Sequence, residues 1–227
     1  STVVHLACVN PLVRRRSEVN LVREANLKAL TSGLESCVRS GVKHVVFLSS
    51  HTVYGAYPDN PIPLTVNSPL RPQSDLHYGY DKYLSEQILQ EFAEHQGDIK
   101  VTILRTCMVL GPAAGNYMAQ SFFKKWLLAV ENENPPLQFV YEDDLARVVD
   151  IVIQRGIQGI FNVAGDDVVF YREIAEMIGS RIVSIPSFVA SPFLRLSWNM
   201  GFQRRSNAAG FNMVRYPVVV STGTLKQ

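Results

Sequence analysis

Short runs of consecutive apolar, β-branched residues alternate along the chain with longer segments in which apolar positions recur every three or four residues. That alternation predicts β-α units around a parallel sheet. Residues 3–7, 45–48, 101–104 and 160–163 are the expected strands. They show no polar alternation, as strands covered on both faces require. Between the first two runs, Leu27, Leu30, Leu34 and Val38 mark the buried stripe of a helix that closes at Gly41. A second helix, over about residues 77–94, sets Leu84, Ile88 and Phe92 on one face, and Gly97 follows it. Further helices are expected through "YMAQSFFKKWLLAV", "YREIAEMIG" and "PFLRLSWNMGF", and "RIVSIP" reads as a strand. The stretch "PPLQFVYEDDLARVVDIVI" combines a short strand with a helix that starts on Glu142, Asp143 and Asp144, where the helix dipole explains the carboxylates better than a cation site does.

The connection from residue 51 to about residue 75 contains Pro58, Pro61, Pro63, Pro69 and Pro72, and loops of that length are functional or disordered. The 227 residues, 47% hydrophobic and 19% charged, suffice for one large domain or two small ones with a real core. A net charge of +2 gives no nucleic-acid footprint, and Arg14-Arg15-Arg16 and Arg204-Arg205 read as solvated faces. Cys8, Cys37 and Cys107 are few, odd in number and scattered, which argues for a reducing, cytoplasmic setting without disulfides or zinc. No run is long enough to span a bilayer and no signal peptide is visible, so no membrane association is expected. His5, His44, His51, His77 and His95 lack metal-ligand spacing; His5 reads as a core histidine and His77 as a helix cap. The aromatics Phe188, Phe193, Trp198 and Phe202 read as core or subunit interface. Because "STVVHLAC" opens on a core strand and "VVVSTGTLKQ" stops abruptly, segments are expected to be missing at both ends.

Candidate chemistry lies in "FLSSHTVYGAY", where polar side chains crowd the end of a hydrophobic run. In open α/β sheets ligands bind outside the carboxyl ends of the strands. On the following helix, in "HYGYDKYLSEQ", Tyr78 and Lys82 are four residues apart and share a face. The ammonium is expected to lower the phenol pKa and make Tyr78 an acid or base, with the Ser50 hydroxyl sharing the same substrate oxygen. A hydrolase based on Ser50-His51 is disfavoured, since there is no Gly-x-Ser-x-Gly elbow.

These residues resemble the extended short-chain dehydrogenase/reductases, in particular the NAD-dependent epimerase/dehydratase family with its nucleotide-sugar epimerases. The shared motifs are "VVHLA", "EANLKAL", "GVKHVVFLSSHTVYG", "YGYDKYLSEQ", "ILRTCMVLGP", "FVYEDDLARV" and "GIFNVAG", in the family's order over nearly the whole chain. The resemblance implies an α/β, Rossmann-like doubly wound parallel sheet lacking its N-terminal β-α units, with a small C-terminal substrate subdomain. It divides the chain into residues 1–112 and 136–165 on the dinucleotide side, and 113–135 and 166–227 on the substrate side. By resemblance Ser50, Tyr78, Lys82 and Asn26 are catalytic, Lys82 also holding the nicotinamide ribose. Leu6, Ala7, Ser49, Thr106, Cys107 and Met108, with Tyr78 and Lys82, would line NAD or NADP. Ser50, His51, Thr52, Asn116 and Arg215 would meet the substrate, a sugar nucleotide or similar small molecule. The two helices over residues 20–40 and 77–94 would form a homodimer contact.

Three departures qualify that resemblance. The family's Gly-x-x-Gly-x-x-Gly turn, which holds the pyrophosphate on a helix N-terminus, is absent from the 227 residues, so cofactor affinity is expected to collapse. Arg105-Thr106 stands where Arg-Pro is usual, and Leu137-Gln138 where an arginine commonly meets the nucleotide. Two rivals therefore stand beside the epimerase/dehydratase reading: a catalytically silent relative serving as a folded or oligomerisation module, and a reductase or hydroxysteroid-type dehydrogenase of the same fold.

Overall fold

The computed structural model describes residues 1–9, 16–114, 122–189 and 208–225. Along the chain, β1 (Thr2–His5), α1 (Arg16–Arg39), β2 (His44–Ser50) and α2 (His77–His95) lead into β3 (Lys100–Thr106) and β4 (Met108–Leu110). Then follow β5 (Trp126–Val130), β6 (Pro136–Tyr141), α3 (Glu142–Arg155), β7 (Gly159–Val163), β8 (Val168–Phe170), α4 (Tyr171–Ile178), β9 (Arg181–Ile185) and α5 (Ala208–Asn212). The main sheet has the order β1-β2-β3-β7, all parallel. Alternate residues of β2 explain its unbroken hydrophobicity. Val45 and Phe47 pack with Leu30 and Leu34 of α1 and Leu89 of α2, whereas Val46 packs with Leu145 and Val152 of α3. Helices thus cover both faces, which is the Rossmann-like α/β arrangement.

Local signals account for most of these elements. Gly41 takes φ +65 and follows α1, and the Val42 N–H returns to the Cys37 carbonyl, so a glycine closes that helix as expected. The buried face of α1 runs through Leu30, Leu34 and Cys37, leaving Val38 42% exposed and correcting its assignment to the stripe. On α2 the deepest positions are Lys82, Ser85, Glu86 and Leu89, while Leu84, Ile88 and Phe92 are only half-buried. A hydrophobic pattern cannot reveal a helix face that buries charges.

The expected helix through "YMAQSFFKKWLLAV" is corrected by β5. Five consecutive apolar residues suit either period. Here a parallel ladder with β9, from Trp126 opposite Arg181 to Val130 opposite Ile185, decides for strand, and Leu127 and Ala129 pack against Ile174 and Ala175 of α4. A third small sheet has the order β4-β6-β8. Residues 217–221 run beside the segment after β2: Leu64 bridges Val220, and Val218 and Val220 pack on Val53 and Tyr54.

Phe188 is 80% exposed and so is not core. Arg14, Arg15, Asn116, Phe193, Trp198, Phe202, Arg204, Arg205 and the expected "PFLRLSWNMGF" helix lie outside the described residues. Among the described residues, no helix is long and apolar enough to cross a membrane.

Candidate active site

Strand β2 runs out at Ser50, whose extended backbone (φ −145, ψ 146) turns into a short 3-10 helix, His51–Tyr54. The Ser50 hydroxyl oxygen accepts the Thr52 backbone N–H at 3.3 Å and the Thr52 Oγ1–H at 2.9 Å. The first turn of α2 comes close to this corner because residue 79 is glycine. A Cβ there would sit 2.9 Å from Thr52 Oγ1 and 3.0 Å from Thr52 Cβ. Close approach sets the Tyr78 phenol beside Ser50, whose hydroxyl favours the phenolate. One turn further on, Lys82 Nζ donates to the Leu48 carbonyl at 2.6 Å and lies 4.6 Å from the Phe47 ring centroid and 5.7 Å from that of Tyr78. Ser50, Tyr78 and Lys82 therefore meet at the carboxyl end of a central parallel strand.

The electrostatics differ from the sequence expectation. Burial holds the Tyr78 phenol well above its usual range, the neighbouring Cys8 thiol adds to this, and only the Ser50 hydrogen bond acts in the other direction. Lys82 is itself shifted down by burial. Desolvation penalises both charged forms, so the chain by itself favours a protonated Tyr78.

Asn26 ties the loop after β1 to α1. It accepts the Val9 N–H on Oδ1 at 2.8 Å and donates Nδ2–H to the Val9 carbonyl at 2.9 Å and to Asp81 at 3.4 Å. Arg23 completes the anchor through a 2.7 Å ion pair with Asp81. Leu6 and Ala7 are exposed beyond β1, and His5 is half-buried and stacked on Phe47 rather than sunk in the core. His77 does not cap α2, whose N-cap, Leu76, makes no side-chain bond.

Several residues expected to line the cofactor make contacts within the protein. The Ser49 hydroxyl donates to Glu86. Thr106 Oγ1 donates to the Ser49 carbonyl, Cys107 packs with Val46 and Leu104 and its thiol is pushed up to about 12 by burial, and Met108 packs with Phe122 and Leu137. Arg215 Nε donates to Glu133 at 2.6 Å, and its guanidinium lies 4.8 Å from the Tyr216 ring centroid.

The sequence reading missed a buried polar network behind the site. Arg105 meets Glu86 at 2.7 Å and donates to Tyr54 Oη at 2.9 Å and the Val66 carbonyl at 3.1 Å. Tyr54 donates to Asn162, whose amide reaches the carbonyls of Leu64 and Ser221. One signal was available: Glu86 follows Tyr78 and Lys82 at the same four-residue interval.

His51 is buried and donates Nδ1–H to the Thr106 carbonyl at 3.0 Å; burial lowers its pKa from 6.5 to about 4. An unfolded chain takes up that proton near pH 6.5, and the folded chain resists until about 4. This contribution is whole above pH 6.5 and is lost as the pH falls, reaching about 3 kcal/mol at pH 4. Urea unfolding of wild type and His51→Gln at pH 7, 5 and 4 should show the wild type losing stability faster on acidification. Parallel losses in the two proteins would contradict this.

The model of the NAD-dependent epimerase/dehydratase family matches residues 1–164. The chain belongs to that family. An uncharacterized protein of Mycobacterium tuberculosis is 25% identical over 207 residues, which are 91% of this chain and 53% of that protein. A UDP-glucose 4-epimerase of Caenorhabditis elegans is 31% identical over 103 residues, 45% of this chain and 29% of that protein. The structure of a Thermus thermophilus UDP-glucose 4-epimerase in complex with NAD shares the fold with a TM-score of 0.71 at 21% identity, over 99% of this chain and 70% of that one. A dTDP-glucose 4,6-dehydratase from Streptomyces venezuelae gives 0.73 at 20% identity, over 99% and 66% respectively. This family chain spans about half the length of the curated Mycobacterium relatives it matches, 53%.

Proposed function

We propose that this chain carries the acid–base machinery of an NAD-dependent epimerase/dehydratase acting on a hydroxyl or keto centre of a sugar nucleotide. The observation that carries the reading is the juxtaposition at the end of β2 of Ser50, the Tyr78 phenol and Lys82, whose Nζ lies 5.7 Å from the Tyr78 ring centroid. In this reading Tyr78 exchanges a proton with the substrate oxygen while Ser50 hydrogen-bonds the same atom. Lys82 uses one of its three donors on the Leu48 carbonyl, which leaves two for a cofactor ribose. Exposed Leu6 and Ala7 offer apolar surface beside it, and Asn26 holds their loop in place. NAD, when bound, supplies the hydride acceptor and a positive charge. Positive charge beside a buried phenol favours its ionisation, so the raised Tyr78 is a group made ready by ligand binding. Its test is to incubate the full-length protein with NAD and UDP-glucose, the substrate class named for its relatives, and assay for an epimerised or dehydrated product. No conversion of UDP- or dTDP-sugars would contradict the proposal.

The homodimer belongs to the same reading. Between α1 and α2 runs a groove of about 580 Å³ floored by Leu34, Ile88 and Phe92, with Val38 at its edge. Glu35 and Arg39 on α1, paired with each other at 3.7 Å, and Glu91 on α2 flank it, and in this reading a second copy turned by a two-fold axis covers the apolar floor. Light scattering should give twice the protomer mass, and Val38→Glu should shift it to monomer. A monomeric wild type at micromolar concentration would contradict the contact.

A further inference from the structure

We infer that Thr52 is a positioning residue that makes Ser50 a pure hydrogen-bond donor toward the reacting oxygen. This rests on the proposed function, which it deepens. A serine hydroxyl has two acceptor lone pairs and one hydrogen, and an unrestrained one rotates among three rotamers. Both acceptor positions of Ser50 are taken by one neighbour, the Thr52 backbone N–H at 3.3 Å and the Thr52 Oγ1–H at 2.9 Å. The hydrogen of Ser50 is thereby left for donation, and the Tyr78 phenol is the titratable group its hydroxyl acts on. Thr52 cannot swing away, since it is buried at 2% exposure and its Oγ1 and Cβ lie against the bare Gly79 backbone.

The geometry makes the first link of a chain of donors, Thr52 Oγ1–H to Ser50 Oγ, and in the reacting complex Ser50 Oγ–H continues it to the substrate oxygen that Tyr78 and Ser50 share. Serial hydrogen bonds polarise one another, so the threonine hydroxyl strengthens the Ser50 donor as well as aiming it. Thr52 itself touches no reacting atom in this arrangement. Its expected effect is accordingly that of one buried hydrogen bond, about a tenfold loss in kcat when removed.

Thr52→Val keeps the shape and the backbone N–H and removes only the hydroxyl; Thr52→Ser restores it. In the full-length protein with NAD and UDP-glucose, Thr52→Val is expected to lower kcat about tenfold with KM within about twofold, and to move the Tyr78 limb of the pH–rate profile upward. Thr52→Ser is expected to recover most of the rate, which a packing role for the γ-methyl would not allow. Unchanged kcat in Thr52→Val, or failure of the serine variant to recover while folded, would overturn the assignment. If wild type is inactive on nucleotide sugars, the functional reading fails and the positioning role is decided by structure. A high-resolution crystal structure of Thr52→Val should show Ser50 in a second rotamer, out of reach of Tyr78. A single unchanged Ser50 rotamer there would overturn the inference.

Discussion

Tyr78→Phe is expected to lower turnover of a nucleotide sugar by about 10²–10⁴-fold, the range for loss of a positioned acid–base group. The substitution removes only the phenol oxygen, and the ring keeps its place beside Lys82, so the variant should fold as the wild type does. Its melting temperature is therefore the control. Loss of rate without loss of stability would place the defect in chemistry. A variant that turns over like the wild type would remove Tyr78 from the mechanism, and with it the role of Ser50.

The largest effect on stability is expected from Glu86→Leu. That substitution leaves the Arg105 guanidinium, at 3% side-chain exposure, without its carboxylate and also strips the Ser49 hydroxyl of its acceptor. Breaking a buried pair on one side typically costs about 3–5 kcal/mol, because the surviving charge stays desolvated. The double variant Glu86→Leu/Arg105→Met removes both charges and is expected to be more stable than Glu86→Leu alone, as nonadditivity in a double-mutant cycle would show. Urea denaturation measures all three proteins. A loss below about 1 kcal/mol in Glu86→Leu would mean that the pair is not a keystone. Glu86 lies two turns beyond Tyr78 on the same helix face, so the network fixes the helix that carries Tyr78 and Lys82.

Strand and helix identities were legible wherever burial followed hydrophobicity. The parallel strands, the Gly41 closure and the α3 start at Glu142 all follow from local pattern, and the family motifs located Ser50, Tyr78 and Lys82 at one corner. Four features were not legible, each for a physical reason. The apolar run ending at Val130 fits two periodicities, and only its long-range partner Ile185 selects a strand. The inner face of α2 is built from Lys82, Ser85 and Glu86, so a search for apolar residues points to the wrong side. Desolvation depends on the depth of surrounding atoms, and sequence spacing alone predicted the Tyr78 shift with the wrong sign. Likewise the Ser49 contact depends on an acceptor 37 positions away.

The proposed function has Ser50, Tyr78 and Lys82 together move the proton that accompanies hydride transfer. It is tested most directly by rapid mixing of the full-length protein, holding NAD, with UDP-glucose, while the near-ultraviolet absorbance of reduced nicotinamide is followed. Wild type should show nicotinamide reduction in a single turnover, and Tyr78→Phe should slow that phase by about 10²-fold or more with NAD still bound. Equal rates in the two proteins, with NAD bound to both, would contradict the account.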